Sequence, residues 1–308
     1  MLVEQNFTPD TTTPNDLLVD LSALYKIQPA TAIWRAVEIH EILKEGLPGG
    51  VGLDLGCGDG ALTGLILKYL PKPPEMIGLD YDPAEIDVAR KRGVYTDTVV
   101  AGGEDMPLDD NSVDFVFSNS VLEHLPDLDA TIGECARVLK PGGTMIATVP
   151  EPQFRALLGG PLTPFKRHDA YVDKIDARLA HHNYLDADAW RDLFAKHGMT
   201  LTRAKGYLNG RQVRRWERFS NVTAGILQGL GASNALLYRL QRFTRSDDPT
   251  ANGLLEDTAP AAWRGLWAKC VAGRALAAMD DDRNGEDGNG CLLIKATKPG
   301  AVGEAPSG

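Results

Sequence analysis

The stretch Val51–Gly60, read V-G-L-D-L-G-C-G-D-G, constrains this 308-residue chain more than any other. A short apolar strand carries Asp54 near its end, and glycines follow at alternate positions, Gly56, Gly58 and Gly60. Helical spacing then takes over in Ala61, Leu62, Leu65, Ile66 and Leu67. Glycine at a strand-to-helix turn admits positive φ and lets the backbone approach a ligand with no Cβ between them. Such a turn offers its amides to a nucleotide-like ligand. The glycines alone leave that ligand open, because Gly56, Gly58 and Ala61 also satisfy a looser dinucleotide fingerprint.

The rest of the chain supplies a matching frame. Apolar runs near 51–56, 75–80, 96–101, 113–119 and 143–149 read as strands, with helices near 61–70, 83–92 and 128–139. This alternation predicts an α/β fold, a Rossmann-like sheet wound on both faces. A further helix spans Asp186–Gly198, and Met199–Leu208 and Gly290–Lys298 read as the last two strands. Ahead of the first strand, Thr31–Gly46 is expected to be a helix with Thr31 as its cap, and the Thr/Pro-rich residues 1–14 to be loosely ordered.

Two acids narrow the ligand. Asp54 lies two residues before the first glycine, where a pyrophosphate would meet a like charge and an ammonium group an opposite one. Asp80 closes the second strand twenty residues after Gly60, a place from which a carboxylate accepts ribose hydroxyls. Asp82-Pro83-Ala84-Glu85 then starts a helix with a capping Asp and Pro at the first position. Downstream come G-G-E-D-M-P-L-D-D-N-S-V-D-F-V-F-S-N over Gly102–Asn119, S-V-L-E-H-L-P-D over Ser120–Asp127, and L-K-P-G-G over Leu139–Gly143.

These five ordered segments resemble class I S-adenosylmethionine-dependent methyltransferases, in particular the ubiquinone/menaquinone-type (type 11) relatives. The resemblance implies about seven strands, the last antiparallel and inserted between its neighbours, with helical insertions. It implies S-adenosylmethionine as the cofactor, with Asp54, Gly56, Cys57, Gly58 and Gly60 around the glycine turn and Asp80 and Tyr81 after the second strand. Glu104, Asp105 and Met106 fall at the adenine, Asp105 on its amino group and Met106 against the ring, and Asn119 at the methionine end. L-K-P-G-G is the family's turn before the fifth strand.

On this reading the domains are an N-terminal helical segment (1–50) and a core (51–208) with a substrate-covering insertion at 151–185. A mainly helical insertion or cap (209–289), a final core strand (290–299) and a tail (300–308) follow. The long insertion is the chief departure from the family pattern.

Methyl transfer from a sulfonium needs neither metal nor covalent intermediate, since the cofactor carries its own leaving group. A base helps when the acceptor is a hydroxyl or an acidic carbon. His124 follows the fourth strand near the expected methyl position, and His181 and His182 precede the Asp186 helix within the substrate cover. Adjacent histidines point apart on regular structure, so one of that pair at most faces the site. His168 and Tyr171 are weaker candidates, and no His/Asp/Glu set shows metal-ligand spacing along the sequence. The acidic run Asp280–Asp282 lacks the ligand order of a calcium loop.

A formal net charge of −10 argues against nucleic-acid binding, and Ser118-Asn119-Ser120-Val121 stands where base methyltransferases carry Asn/Asp-Pro-Pro-aromatic. Four scattered cysteines, Cys57, Cys135, Cys270 and Cys291, and a start lacking the marks of a signal peptide point to a reduced, cytoplasmic protein. Between Arg211 and Arg245 stand seven arginines against one acid, Glu217, flanking the charge-free run Phe219–Tyr238. That pattern suits a helical lid or a peripheral membrane contact through 211–245, and Trp263 and Trp267 fit either.

The expected function is methyl transfer to a small-molecule acceptor, lipophilic or a secondary metabolite, by in-line displacement. A cofactor-binding regulator or assembly factor without turnover is the alternative, and an NAD(P)-dependent oxidoreductase a remote one. The sequence leaves the oligomeric state open.

Overall fold

The structure, a computed structural model, describes residues 13–25, 29–160, 168–179, 181–229 and 288–300. Within them, helices α1 (Pro14–Leu24) and α2 (Pro29–Glu45) precede strand β1 (Val51–Leu55). Then α3 (Ala61–Tyr69), β2 (Glu75–Asp80), α4 (Pro83–Arg92), β3 (Asp97–Val100) and β4 (Val113–Asn119) alternate. A 3₁₀ turn at Leu122–His124 leads to α5 (Leu128–Val138), β5 (Leu139–Pro150), α6 (Gln153–Leu157), α7 (His168–Leu179) and α8 (Ala187–Lys196). Strand β6 (Thr200–Asn209), α9 (Gly210–Gly229) and β7 (Asn289–Thr297) complete the set.

The strands form one sheet in the order β3-β2-β1-β4-β5-β7-β6. Strands β1 to β5 pair in parallel, while β7 runs antiparallel between β5 and β6, the inserted final strand that the resemblance implies. Order reverses between β1 and β4, so the crevice beyond their carboxyl ends is where such sheets take a ligand. Successive residues of β4 serve both faces, as the pleat requires. Phe115 and Phe117 enter a core with α1, α2, α3 and α9, while Val116 joins Ile132 of α5 and Trp190 and Phe194 of α8 on the other side. Each fully buried phenylalanine of this kind contributes roughly 1.5–3 kcal/mol.

Two local expectations are corrected. Helix α2 begins at Pro29 rather than at a Thr31 cap, because Pro suits the first turn and Ala30 and Ala32 are already buried against the core. The chain is helical from Pro14, where Thr13 and Asp16 form a reciprocal capping box, and the expectation for residues 1–12 lies outside the described residues. Leu139–Gly143 is not a turn outside the sheet, since β5 runs through it with a register shift opposite Val113–Phe115. Gly142, at φ +82°, absorbs the irregularity, and its amide donates to Lys298 O at 2.9 Å.

The expected caps at Asp82 and Asp186 are present, accepting from Ala84 N at 2.8 Å and Ala189 N at 2.9 Å. Along α9, Arg211, Arg215 and Arg218 are exposed, while Val213, Trp216 and Glu217 are buried. Glu217, the one acid of that stretch, accepts from the amides of Gly159 and Gly160. Arg239, Arg242, Arg245, Trp263, Trp267, Cys270 and Asp280–Asp282 lie outside the described residues. No helix among the described residues is long and apolar enough to cross a membrane.

Candidate functional site

The glycine turn is pinned from beneath. Gly56 N and Cys57 N both donate to Leu79 O, at 2.8 and 3.0 Å, tying the end of β1 to β2. Gly56 has φ +75° and Gly60 φ +74°. A Cβ at Gly56 would lie 2.6 Å from Val121, and one at Gly60 2.8 Å from Tyr95, so conformation and space both call for glycine. Gly60 leads into α3, whose first amide, Ala61 N, donates to Asp59 Oδ1 at 3.0 Å.

The two acids flank this turn. Asp80, at the carboxyl end of β2, accepts from Gly58 N through Oδ2 and from Asp82 N through Oδ1, both at 2.9 Å. Asp54 is 2% exposed and accepts from Thr63 Oγ1 at 2.5 Å and from Tyr95 OH at 2.6 Å. Burial pushes its carboxyl up to about 6, against the pull of those two hydroxyls and with the help of nearby Asp80. Cys57 is buried as well, and burial with the two acids raises its thiol well above the ordinary range, which leaves it a packing group.

The remaining cofactor candidates line the same sheet edge. Tyr81 is 80% exposed directly after Asp80, an unusual placement for so large a ring. Glu104 and Asp105 are exposed in the loop after β3, whereas Met106 is buried against the α5 side of the core. The Met106 backbone is fixed at both ends: its N–H donates to Glu134 Oε2 and its carbonyl accepts from Arg137 Nη2, each at 2.8 Å.

Asn119 ends β4, donating through Nδ2 to Thr148 Oγ1 at 2.6 Å and accepting at Oδ1 from Arg35 Nη1 at 3.0 Å. Ser120 follows at φ +53°, a conformation uncommon outside glycine. Its hydroxyl contacts Arg35 Nη1 at 2.9 Å and donates to Glu38 Oε1 at 2.8 Å. Glu38 also pairs with Arg35 and accepts from Tyr207 OH at 3.0 Å. Burial opposes both charges, yet Arg35 with the Ser120 and Tyr207 hydroxyls holds the Glu38 carboxyl below its usual range. Helix α2 thereby delivers an ion pair, its Glu38 buried and its Arg35 partly exposed, to the end of β4.

The histidines gather beside it. His124 Nε2 lies 3.9 Å from Glu123 Oε1, and the His124 and His181 rings are 5.2 Å apart. The chain at His181–Tyr184 wraps the 3₁₀ turn, with His182 N and Asn183 N donating to Glu123 O at 2.7 and 3.0 Å. His181 is half-buried and His182 exposed, so one of the adjacent pair faces inward. Burial, with the nearby His124, His182 and Arg35, drops His181 to about 3 and keeps it neutral. Glu123 is 3% exposed, and burial pushes it up to about 8. Trp34, Phe154 and Trp216 pack edge-on and tilted nearby, Trp34 to Trp216 at 4.9 Å and Phe154 to His181 at 6.4 Å between centroids.

Reading the sequence did not find Arg35, Glu38, Glu123, Tyr95 or Tyr207. Arg35 and Glu38, three apart among the apolar residues Ile33, Trp34, Ala36, Val37 and Ile39, were the available signal. The tyrosines carried none, because their partners are distant along the chain. Tyr171, a weaker candidate, accepts from Asn221 Nδ2 at 2.9 Å, and His168 opens α7.

Comparison with known proteins agrees with this architecture. Residues 53–147 match the model of a methyltransferase domain family. A "probable S-adenosylmethionine-dependent methyltransferase" of Mycobacterium tuberculosis is 29% identical over 162 residues, covering 50% of this chain and 58% of that protein. One from Mycolicibacterium smegmatis is 38% identical over 114 residues, covering 37% of this chain and 43% of that one. A malonyl-[acyl-carrier protein] O-methyltransferase of Methylococcus capsulatus is 38% identical over 96 residues, 30% of this chain and 34% of that protein. The chain thus spans little more than half the length of the first of these relatives.

The glycine turn, the acid closing β2 and strands β2 to β4 lie within residues 53–147, the stretch that matches a methyltransferase domain. Within that stretch the chain is similar to S-adenosylmethionine-dependent methyltransferases.

Proposed function

We propose that this protein transfers the methyl group of S-adenosylmethionine to a small-molecule acceptor by in-line displacement. The observation that carries this reading is the meeting of Gly58 N and Asp80 Oδ2 at 2.9 Å, at the crevice where strand order reverses. There the turn of Gly56, Gly58 and Gly60 faces the amino-acid end of the cofactor. Asp80 takes the ribose hydroxyls, exchanging its bond from Gly58 for bonds from the ligand. Tyr81, Glu104 and Asp105 border the adenine, with Met106 beneath them, and Asn119 stands at the methionine end. Buried Asp54 fixes Thr63 and Tyr95 and so sets the base of the turn.

The acceptor lies on the α2 side, among Trp34, Trp216, Arg35, His124 and His181. Its reacting atom attacks the methyl carbon, the carbon–sulfur bond breaks, and the electron pair leaves on the uncharged thioether of S-adenosylhomocysteine. Holding the acceptor in line supplies roughly 7–11 kcal/mol of the barrier reduction. His124 receives the proton when the acceptor is a hydroxyl. The aromatic wall, with Phe154 and Trp216 buried and Trp34 partly exposed, favours an acceptor with apolar surface. The exposed arginines of α9 would meet an anionic partner or lipid headgroup.

The test is a thermal shift with S-adenosylhomocysteine and NADH in parallel, on the wild type and Asp80→Ala. Ligand at a hundred times its Kd adds about 2.7 kcal/mol to the native state, a rise of a few degrees for a chain this long. A rise with S-adenosylhomocysteine alone, reduced in Asp80→Ala, is expected. No rise with it, or a rise with NADH instead, would overturn the reading.

A further inference from the structure

Along the sequence His124 and His181 stand 57 positions apart, and nothing in their spacing joins them. The fold brings them together with Glu123. One donor atom from each of the three lies within 4.8 Å of the other two. The wrap of the chain at His181–Tyr184 around the Leu122–His124 turn makes this approach, and two backbone bonds to Glu123 O and two from Asn183 Nδ2, to Leu122 O and Leu125 O, hold it.

A second observation bears on what the cluster is for. Glu123 is 3% exposed, and its Oε2 atom is buried with no hydrogen-bond partner among the described residues. A carboxyl oxygen left so is costly, by about 1–3 kcal/mol or more, unless something fills the place of the missing partner.

His181 is also oriented for ligation. Tyr184 OH donates its one hydrogen to Asp176 Oδ1 at 2.8 Å, so its oxygen accepts from His181 Nδ1 at 2.9 Å. The proton of the neutral ring is thereby on Nδ1, and Nε2 keeps its lone pair. This chain of carboxylate, hydroxyl and imidazole is the outer-sphere arrangement that fixes the tautomer of metal-binding histidines.

We propose that Glu123, His124 and His181 form a binding site for a divalent first-row transition ion of the zinc, manganese or iron class. Two imidazoles and one carboxylate suit such ions, whereas magnesium and calcium favour all-oxygen sets. Bonds of about 2.0–2.2 Å put two donors at most roughly 4.4 Å apart, so the three draw in slightly by side-chain rotation. Three protein ligands leave a position open. On the methyl-transfer reading, which this consequence alone rests on, that position faces the acceptor side beside Arg35 and Asn119 and takes an acceptor oxygen. The acceptor class is then a hydroxyl or carbonyl compound able to chelate.

The site is tested by metal binding, with no methyl transfer required. Chelator-stripped full-length protein is titrated with zinc against a chromogenic competitor, and with cobalt for its visible bands. Wild type is expected to bind one ion per chain saturably, with cobalt bands of a low-symmetry nitrogen–oxygen site. His181→Ala and Glu123→Gln should remove the bands, and Tyr184→Phe should weaken affinity by about 10–100-fold. Circular dichroism melts establish that each variant is folded, and Tyr184→Phe serves if the ligand variants are not. Saturable binding unchanged in Glu123→Gln and Tyr184→Phe, or folded wild type that binds neither ion, would overturn the site. Either result leaves the S-adenosylhomocysteine thermal shift untouched, so the two readings stand or fall apart.

Discussion

Asp54 carries a burial cost that pH can read. Its carboxyl titrates near 6 in the folded chain against an ordinary value of 3.8, so between those values the native state holds the extra proton. Stability from this group therefore falls as pH rises from about 4 to about 6, and is level above. Asp54→Asn keeps an oxygen to accept from Thr63 and Tyr95 but no charge to bury. It is expected to remove that slope and to stabilise the fold at neutral pH by on the order of 3 kcal/mol, while weakening the S-adenosylhomocysteine thermal shift. Urea midpoints of the two proteins from pH 4 to 8 check this, and parallel curves would refute it. Asp54 was legible in the sequence because it belongs to a contiguous motif. Tyr95, 41 positions away, was not, for its hydroxyl meets that carboxylate only once β2 and β3 lie side by side. Arg35 and Glu38 were hidden likewise, since nothing in α2 alone shows that Ser120 and Tyr207 will complete their bonds.

The elements were more legible than their partners. Apolar runs between glycine and proline punctuation placed β1, β2 and β4 almost to the residue, because parallel strands buried on both faces leave an unbroken signature. Caps at Asp82 and Asp186 were equally plain. Helix α1 was missed because its Thr/Pro-rich approach resembles a loop, although Thr13 and Asp16 write a capping box. Contacts between helices distant in sequence could not be read at all. Helix α9 docks on α2 through Trp216, whose indole donates to Ala30 O at 3.1 Å while its ring meets Trp34. Trp216→Ala should cost about 3–5 kcal/mol, from lost burial and a cavity under the aromatic wall. Chemical denaturation would measure it, and a loss under about 1 kcal/mol would show that α9 is held by other means.

At the scale of the whole molecule the controlling feature is the inverted last strand. Residues 292–294 and Ala296 of β7 are buried, and the strand bonds to neighbours on both sides. Without it, β5 and β6 would each present an unpaired edge across a gap. A chain ending at residue 287 is therefore expected not to fold, appearing in the insoluble fraction or lacking a cooperative melt. A soluble, cooperatively melting truncation would show that the five parallel strands stand alone.

The same arrangement sets an order of events during synthesis. Asn209 and Asn289, paired across β6 and β7, are 80 positions apart in the chain. At about 5–20 residues per second, a ribosome takes roughly 4–16 s to pass from one to the other. Throughout that interval the nascent sheet carries two open edges with the slot between them empty, and slow translation of the intervening message would lengthen its exposure to aggregation.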